Sequence, residues 1–351
     1  MGSHPKQTAT ATDGMFYLKP APWHWGRSLR AALCVGLPFA CGIYLNDIMP
    51  WMWIAMGTLM MTTGERQVAY LPRCTGLLGT ATLGAAGYLL GYLHLLPYGY
   101  TLAAMACAGY AASLLSRRGP NWSIACLQFL LTAAIAIGVP TIATFWQPAA
   151  WYLLGALIYV AVLGVEAIAV RLLQRAARPA SAPTHAPTSV HTRSPGSPPA
   201  LALALCLVTA YASKYLIPES HWFWVPLTVG LIMKPDLGNI FDRSILRCLG
   251  TAVGVLIASA ILDSFPKDVW MALFIAALAG VLPWCMARSY ALQAVALTPL
   301  VLLLVDTVFP GAHNTNENLQ RLSDTVIGAA IAIVLGYVLW SHPSKGTKRP
   351  A

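Results

Sequence analysis

The sequence predicts an all-α polytopic membrane protein of about twelve transmembrane helices, arranged as two parallel, pseudo-symmetric six-helix repeats. Three observations predict it. Of the 351 residues, 57% are hydrophobic and only 10% charged, and the mean hydropathy is +0.63, more apolar surface than a soluble chain of this length can bury. Trp51-Met52-Trp53 returns as Trp222-Phe223-Trp224, and Gly79-Thr80 as Gly250-Thr251, each 171 positions on, so the membrane unit occurs twice. With both termini placed in the cytoplasm, 19 of the 22 Lys and Arg fall on the inner side and only Lys214, Lys267 and Arg321 outside, as the positive-inside rule requires.

Apolar runs place spans at 28–45, 51–63, 73–93, 99–116, 122–139 and 149–170, then at 200–217, 222–233, 244–262, 268–285, 289–308 and 323–340. An even number of spans per half makes the two repeats parallel, related by an axis along the membrane normal. The resulting division is a cytoplasmic tail over 1–27, a first membrane repeat over 28–173, a linker over 174–199, a second membrane repeat over 200–341 and a basic tail over 342–351. The linker is rich in Pro, Ser, Thr and Ala and has no means of burying a core, so it reads as a disordered tether.

Composition also removes several functions. The net charge of +10 is accounted for by topology, which leaves nucleic acid out of the expected partners. No Gly-x-x-x-x-Gly-Lys-Ser/Thr stretch is present for ATP hydrolysis, and no His/Asp/Glu cluster stands at catalytic spacing, so the chain does not read as an enzyme. The eight cysteines show no metal-ligand spacing and read as small packing residues, and no cofactor is implied.

The second span of each half, 51–63 and 222–233, is too short to cross ~30 Å of hydrocarbon as a straight helix. Pro50, Pro226 and Pro235 suggest a broken or half-length helix in both halves. Matched short segments of this kind point to a substrate path at the interface of two repeats. Trp51, Trp53, Trp222 and Trp224 then have two readings: an interfacial anchoring belt, or an aromatic vestibule on the axis.

A polar patch follows each short span. It comprises Gly64-Glu65-Arg66-Gln67 and later Arg73 in the first half, and Lys234, Asp236, Asp242, Arg243 and Arg247 in the second. Arg73, Lys234, Arg243 and Arg247, with Asp236, are candidate pathway residues because converging guanidinium groups attract carboxylates; ordinary inner-loop charge is the other reading. Gln128 with Thr132 in the fifth span and Gln293 with Thr298 in the eleventh offer hydrogen bonds inside apolar helices, for a path or for helix packing. Glu166, Lys214 and Asp306 lie near span ends and read as snorkelling side chains. Arg321 and Asp324 open the last span without a counterpart in the sixth, either as an i,i+3 ion pair or as a proton-coupling site.

These motifs resemble a known family. Trp-x-Trp, a short span, a polar patch, Arg247-x-Leu-Gly-Thr-Ala-x-Gly254 and Arg321-x-x-Asp324-Thr325-x-x-Gly328 are similar to the fusaric acid resistance family of inner-membrane proteins, more closely in the second half than in the first. The resemblance implies export of small organic anions, aromatic carboxylic acids in particular, from the bacterial inner membrane. A distantly related plant group, the aluminium-activated malate channels, implies a passive anion channel on the same axis as the alternative. The expected partners are the organic anion, the lipid bilayer and a periplasmic adaptor protein. Larger family members carry a sizeable cytoplasmic domain where this chain has the short 174–199 linker.

Overall fold

The structure, a computed structural model, describes residues 17–138, 144, 146–176, 198–216, 222–233, 240–266, 268–308 and 315–337. Among them are twelve α-helices: α1 (Trp25–Tyr44), α2 (Ile48–Gly64), α3 (Tyr70–Leu89), α4 (Tyr98–Ser116), α5 (Pro120–Gly138), α6 (Trp146–Ala176), α7 (Pro198–Ala212), α8 (Trp224–Ile232), α9 (Ile240–Ser264), α10 (Val269–Arg288), α11 (Tyr290–Val308) and α12 (Thr315–Ile331). Short 3₁₀ turns extend α3 and α7, and a π turn over Ala332–Tyr337 extends α12. Each expected span therefore has its helix. Six helical segments, Tyr70–Leu95, Pro120–Gly138, Trp146–Leu173, Ile240–Ser264, Val269–Arg288 and Tyr290–Thr307, are long and apolar enough to cross a bilayer by themselves.

The expectation of a broken or half-length second span in both halves holds for the short α8 and needs correction for α2. α2 is a continuous helix of 17 residues, about 25 Å long. Pro50 is its third residue, in the first turn, where a missing N–H removes no helical hydrogen bond. Pro226 likewise stands in the first turn of α8, so it starts that helix and does not interrupt it. α8 does remain short, with nine residues or about 13 Å. Both helices are apolar on every side and almost wholly buried, as expected of helices ringed by others.

Helix pairing decides what surrounds them. In the first half, α3 packs on α5 and α6, α2 on α1 and α6, and α4 on α5. In the second, α9 packs on α11 and α12, α8 on α7 and α12, and α10 on α11. Between the halves, α1 lies on α10 and α4 on α7, while α2 touches α11 and α5 touches α8.

Small residues make these crossings close. On α1, Ser28, Ala32 and Gly36 recur every fourth residue and face Gly280 and Ala276 of α10; a methyl group added at Gly36 would stand 3.2 Å from the Ala276 backbone. Gly109 of α4 meets Ala204 and Leu207 of α7 in the same way. α2 and α6 cross with glycine on both sides, Gly57 against the backbone of Tyr152 and Gly155 against the backbone of Ile54. Side chains too small to separate the backbones bring dispersion contact and leave no room for substitution. Between α1 and α2, Asn46 takes a positive φ of 52°, which its short amide side chain tolerates, and the chain reverses in three residues.

Candidate functional site

Two buried charge clusters stand out, one in each half. In the first, the chain leaves α2 at Glu65 in extended geometry and turns its carboxylate inward, only 6% exposed. Arg30 of α1 donates to Glu65 Oε1 at 2.5 Å and Arg73 of α3 donates to the same oxygen at 3.2 Å. Tyr159 of α6 donates to Oε2 at 2.5 Å, and Arg27 Nε lies 3.6 Å from it. Arg30 also pairs with Glu166 of α6, whose other oxygen accepts from the Tyr70 hydroxyl at 3.1 Å. Four helices thus end on one carboxylate. Burial pushes the Glu65 carboxyl up, but Arg30, the Tyr159 hydroxyl and Arg27 outweigh it and hold it below the ordinary glutamate range.

The second cluster is built on α9. Arg243, Arg247 and Thr251 are spaced four residues apart and Gly254 three further, so one buried face carries two guanidinium groups, a hydroxyl and a close-packing glycine. Arg243 donates to the carbonyl of Ile232, the last residue of α8, at 3.1 Å and lies 5.8 Å from the Tyr290 ring centroid. Arg247 is 7% exposed, its Nε has no hydrogen-bond partner, and it forms no ion pair among the described residues. Arg321 of α12 stands over Trp224 with its guanidinium carbon 3.0 Å from the ring centroid, and its Nη2 is unpartnered. The positive charges of Arg247 and Arg321 are close enough to act on each other, and Asp324, one turn along α12, partly offsets the second. Thr251 of α9 and Thr298 of α11, 2% and 3% exposed, also have hydroxyls with no partner among the described residues.

The remaining residues singled out in the sequence fall as follows. Trp53, Trp222 and Trp224 are 3–5% exposed, so they are not a lipid-facing belt. Trp53 packs edge-on against Tyr88, which in turn meets Tyr152. Trp222 sits among Tyr98, Tyr211 and the ammonium of Lys214, which lies 4.5 Å from the Tyr98 ring and 5.2 Å from that of Trp222. Lys214 is therefore held on two rings and is not a free snorkelling chain. Trp51 is half-buried beside Gly42 at the α1–α2 turn.

Gln128 donates to Met60 O and Thr63 Oγ1, joining α5 to α2, whereas Gln293 is half-buried in the first turn of α11. Lys234 and Asp236 lie outside the described residues. Glu166 is not a snorkelling residue: it turns to Arg30. Arg321 and Asp324 lie inside α12, which starts at Thr315, and so do not cap it.

Of the first cluster the sequence reading singled out Arg73 as a site residue and missed Arg27, Arg30, Glu65, Tyr70, Tyr159 and Glu166. One signal was there. Glu65 and Asp236 stand 171 positions apart, the same offset as the paired Trp-x-Trp motifs, so each short span is followed by an acid.

Twelve helices, six of them of spanning length and hydropathy, define a multi-pass membrane protein. Residues 201–335, in the second half, match the family described as fusaric acid resistance protein-like. It is 34% identical over 131 residues to "Uncharacterized membrane protein YvaC" of Bacillus subtilis (strain 168), covering 36% of this chain and 20% of that protein. It is 30% identical over 142 residues to "Inner membrane protein YccS" of Escherichia coli (strain K12), covering 40% and 19%. The chain spans about a fifth of the length of the curated relatives it matches. No solved structure matches it.

Proposed function

We propose that this protein transports small organic anions, aromatic carboxylates in particular, out of the cell across the bacterial inner membrane, with both termini cytoplasmic. The observation that carries the reading is the pair Arg247 and Arg321: two guanidinium groups inside the helical bundle, short of partners and beside an indole. A buried cation without a partner is costly, and a carboxylate that arrives with two acceptor oxygens relieves that cost. Trp224 carries Arg321 on its face and packs on Phe223, so it holds that guanidinium in apolar surroundings.

The two-repeat arrangement belongs to the same proposal. It is supported by helix pairing: α3 on α5 and α6 corresponds to α9 on α11 and α12, α1 on α10 to α7 on α4, and α2 against α11 to α8 against α5. Under that arrangement the two short second helices each meet the opposite half, so a path between the repeats runs beside α2 and α8. The membrane potential favours anion exit by ~2.3 kcal/mol per charge per 100 mV, so export needs no nucleotide. A periplasmic adaptor remains an expected partner.

The test is uptake and release of labelled benzoate by the purified protein in liposomes. Transport by the wild type and its loss in Arg247→Gln are the expected results. Unchanged transport in Arg247→Gln would place the path elsewhere, and single-channel currents in a planar bilayer would replace the carrier with a passive pore.

A further inference from the structure

We infer that the chain holds one anion at a time, in a single site inside its second half formed by Arg247, Thr251, Thr298 and Arg321, and that the equivalent place in the first half is closed by the protein's own side chains. This rests on the transport reading for its ligand class but goes further, because a path shared between similar repeats would be expected to offer two equivalent sites.

The four residues come from three helices. α9 supplies Arg247 and, one turn on, Thr251. The next turn of α9 packs against α11 at Thr298, because a methyl group on Gly254 would stand 2.7 Å from Thr298 Cβ. α12 supplies Arg321. All four carry a side-chain nitrogen or oxygen that is buried and has no hydrogen-bond partner among the described residues. α12 packs on α9, and α9 on α11, so groups that need a carboxylate and groups that need any acceptor stand on adjoining helices. Two guanidinium groups and two hydroxyl donors suit the two oxygens of one carboxylate. Arg243 is engaged by the Ile232 carbonyl, and Asp324 offsets part of the charge of Arg321. A second carboxylate would find no further donor among the four residues, and burying it unpaired is costly, so the site selects a monocarboxylate over a dicarboxylate.

The same positions in the first half carry none of this. At the 171-residue offset Arg247 corresponds to Gly76 and Arg321 to Ala150. Thr80, matching Thr251, donates to Gly76 O at 2.9 Å. Thr132, which occupies on α5 the place of Thr298 on α11, donates to Gly84 O at 2.8 Å and to Gln128 O at 2.9 Å. Arg73, the first-half arginine nearest this face, is spent on Glu65 and the Val68 carbonyl. Both hydroxyls and the cation are satisfied internally.

Titration calorimetry of the full-length protein in detergent, with benzoate as the probe and succinate as the dicarboxylate, tests the inference. One benzoate should bind per chain, and succinate at least tenfold more weakly. Thr251→Val and Thr298→Val, which keep side-chain shape, should each weaken benzoate by roughly ten- to hundredfold, the range for a hydrogen bond to a charged group. Thr298→Ser should restore binding, and Thr80→Val should leave it unchanged.

Two benzoates per chain, equal losses in Thr80→Val and Thr251→Val, or no benzoate binding by the wild type would each overturn the single-site inference. The Thr→Val variants decide the matter even where an arginine variant fails to fold. Benzoate transport that survives in Thr251→Val and Thr298→Val overturns this site and leaves the transport reading intact. Binding as described, without transport in liposomes, overturns transport and leaves the site.

Discussion

Both halves bury arginines, but only the first half answers them. Around Glu65 the guanidinium groups of Arg27, Arg30 and Arg73 converge on a carboxylate that also takes the Tyr159 hydroxyl, and Arg30 has Glu166 besides. Around Arg247 and Arg321 no described carboxylate closes on the charge in that manner, and Thr251 and Thr298 have hydroxyls without a partner among the described residues. The same residue type therefore does two jobs. In one half it ties four helices together, and in the other it is the proposed holder of the transported anion. A buried ion pair adds little net stability compared with an apolar pair, yet removing one partner is expensive. Mutations in the first half should therefore register as loss of folded protein, and those in the second as loss of transport.

The largest expected effect is at the first hub. Glu65→Gln leaves Arg30 and Arg73 facing a neutral amide in a buried setting, and should cost about 3–5 kcal/mol, read as a lower unfolding temperature in detergent. A variant as stable as the wild type would dissolve the comparison. The hub also predicts a pH dependence. A carboxyl held below its ordinary range contributes stability that is complete above the unfolded value of about 4.3 and is lost as pH falls through the lower, folded value. The unfolding temperature should accordingly drop on acidification below that point, and the drop attributable to this group should disappear in Glu65→Gln.

Next in size is the α2–α6 crossing. Gly155→Ala forces a methyl group against the backbone of Ile54 and should cost about 1–3 kcal/mol, whereas Gly164→Ala, further along the same helix with nothing within 4 Å, should change stability by less than about 0.5 kcal/mol or raise it. Equal effects at the two glycines would mean that the crossing is looser than its geometry. The smallest stability effect is expected at Arg247. Arg247→Gln removes a buried cation with no ion-pair partner among the described residues, so the unfolding temperature should hold or rise slightly while benzoate transport is lost. A large destabilisation there would make the second cluster structural like the first.

Helix positions were legible because a bilayer imposes long apolar runs: the expected span 99–116 is α4 at Tyr98–Ser116, and 122–139 is α5 at Pro120–Gly138. Hydropathy misplaced what it does not measure. α12 begins at Thr315, eight residues before the apolar run, because its first two turns are polar, Thr-Asn-Glu-Asn-Leu-Gln-Arg, and still helical. The second spans were read as broken because proline counts as a helix breaker, yet Pro50 and Pro226 both fall in first turns. The Glu65 hub was hidden for a different reason. Its partners sit at positions 27, 30, 73 and 159, a grouping that no local pattern contains, and each arginine already had a sufficient explanation in the positive-inside rule. Arg247 was visible because its depth within a span violated that rule's expectation of a loop residue.

The packing of α1 on α10 has a consequence in time. α1 is synthesised early, whereas the surface it fits, Ala272, Ala276 and Gly280, leaves the ribosome roughly 10–50 s later at ~5–20 residues per second. During that interval Arg30 already has Glu65, and later Glu166, to hold it, so the polar side of α1 is settled first. Its other side, the shallow furrow of Ser28, Ala32 and Gly36, stays open to lipid until the tenth helix arrives. In a chain halted before that point the furrow has no α10 to cover it, and exchange of α1 between two copies is the misassembly to expect.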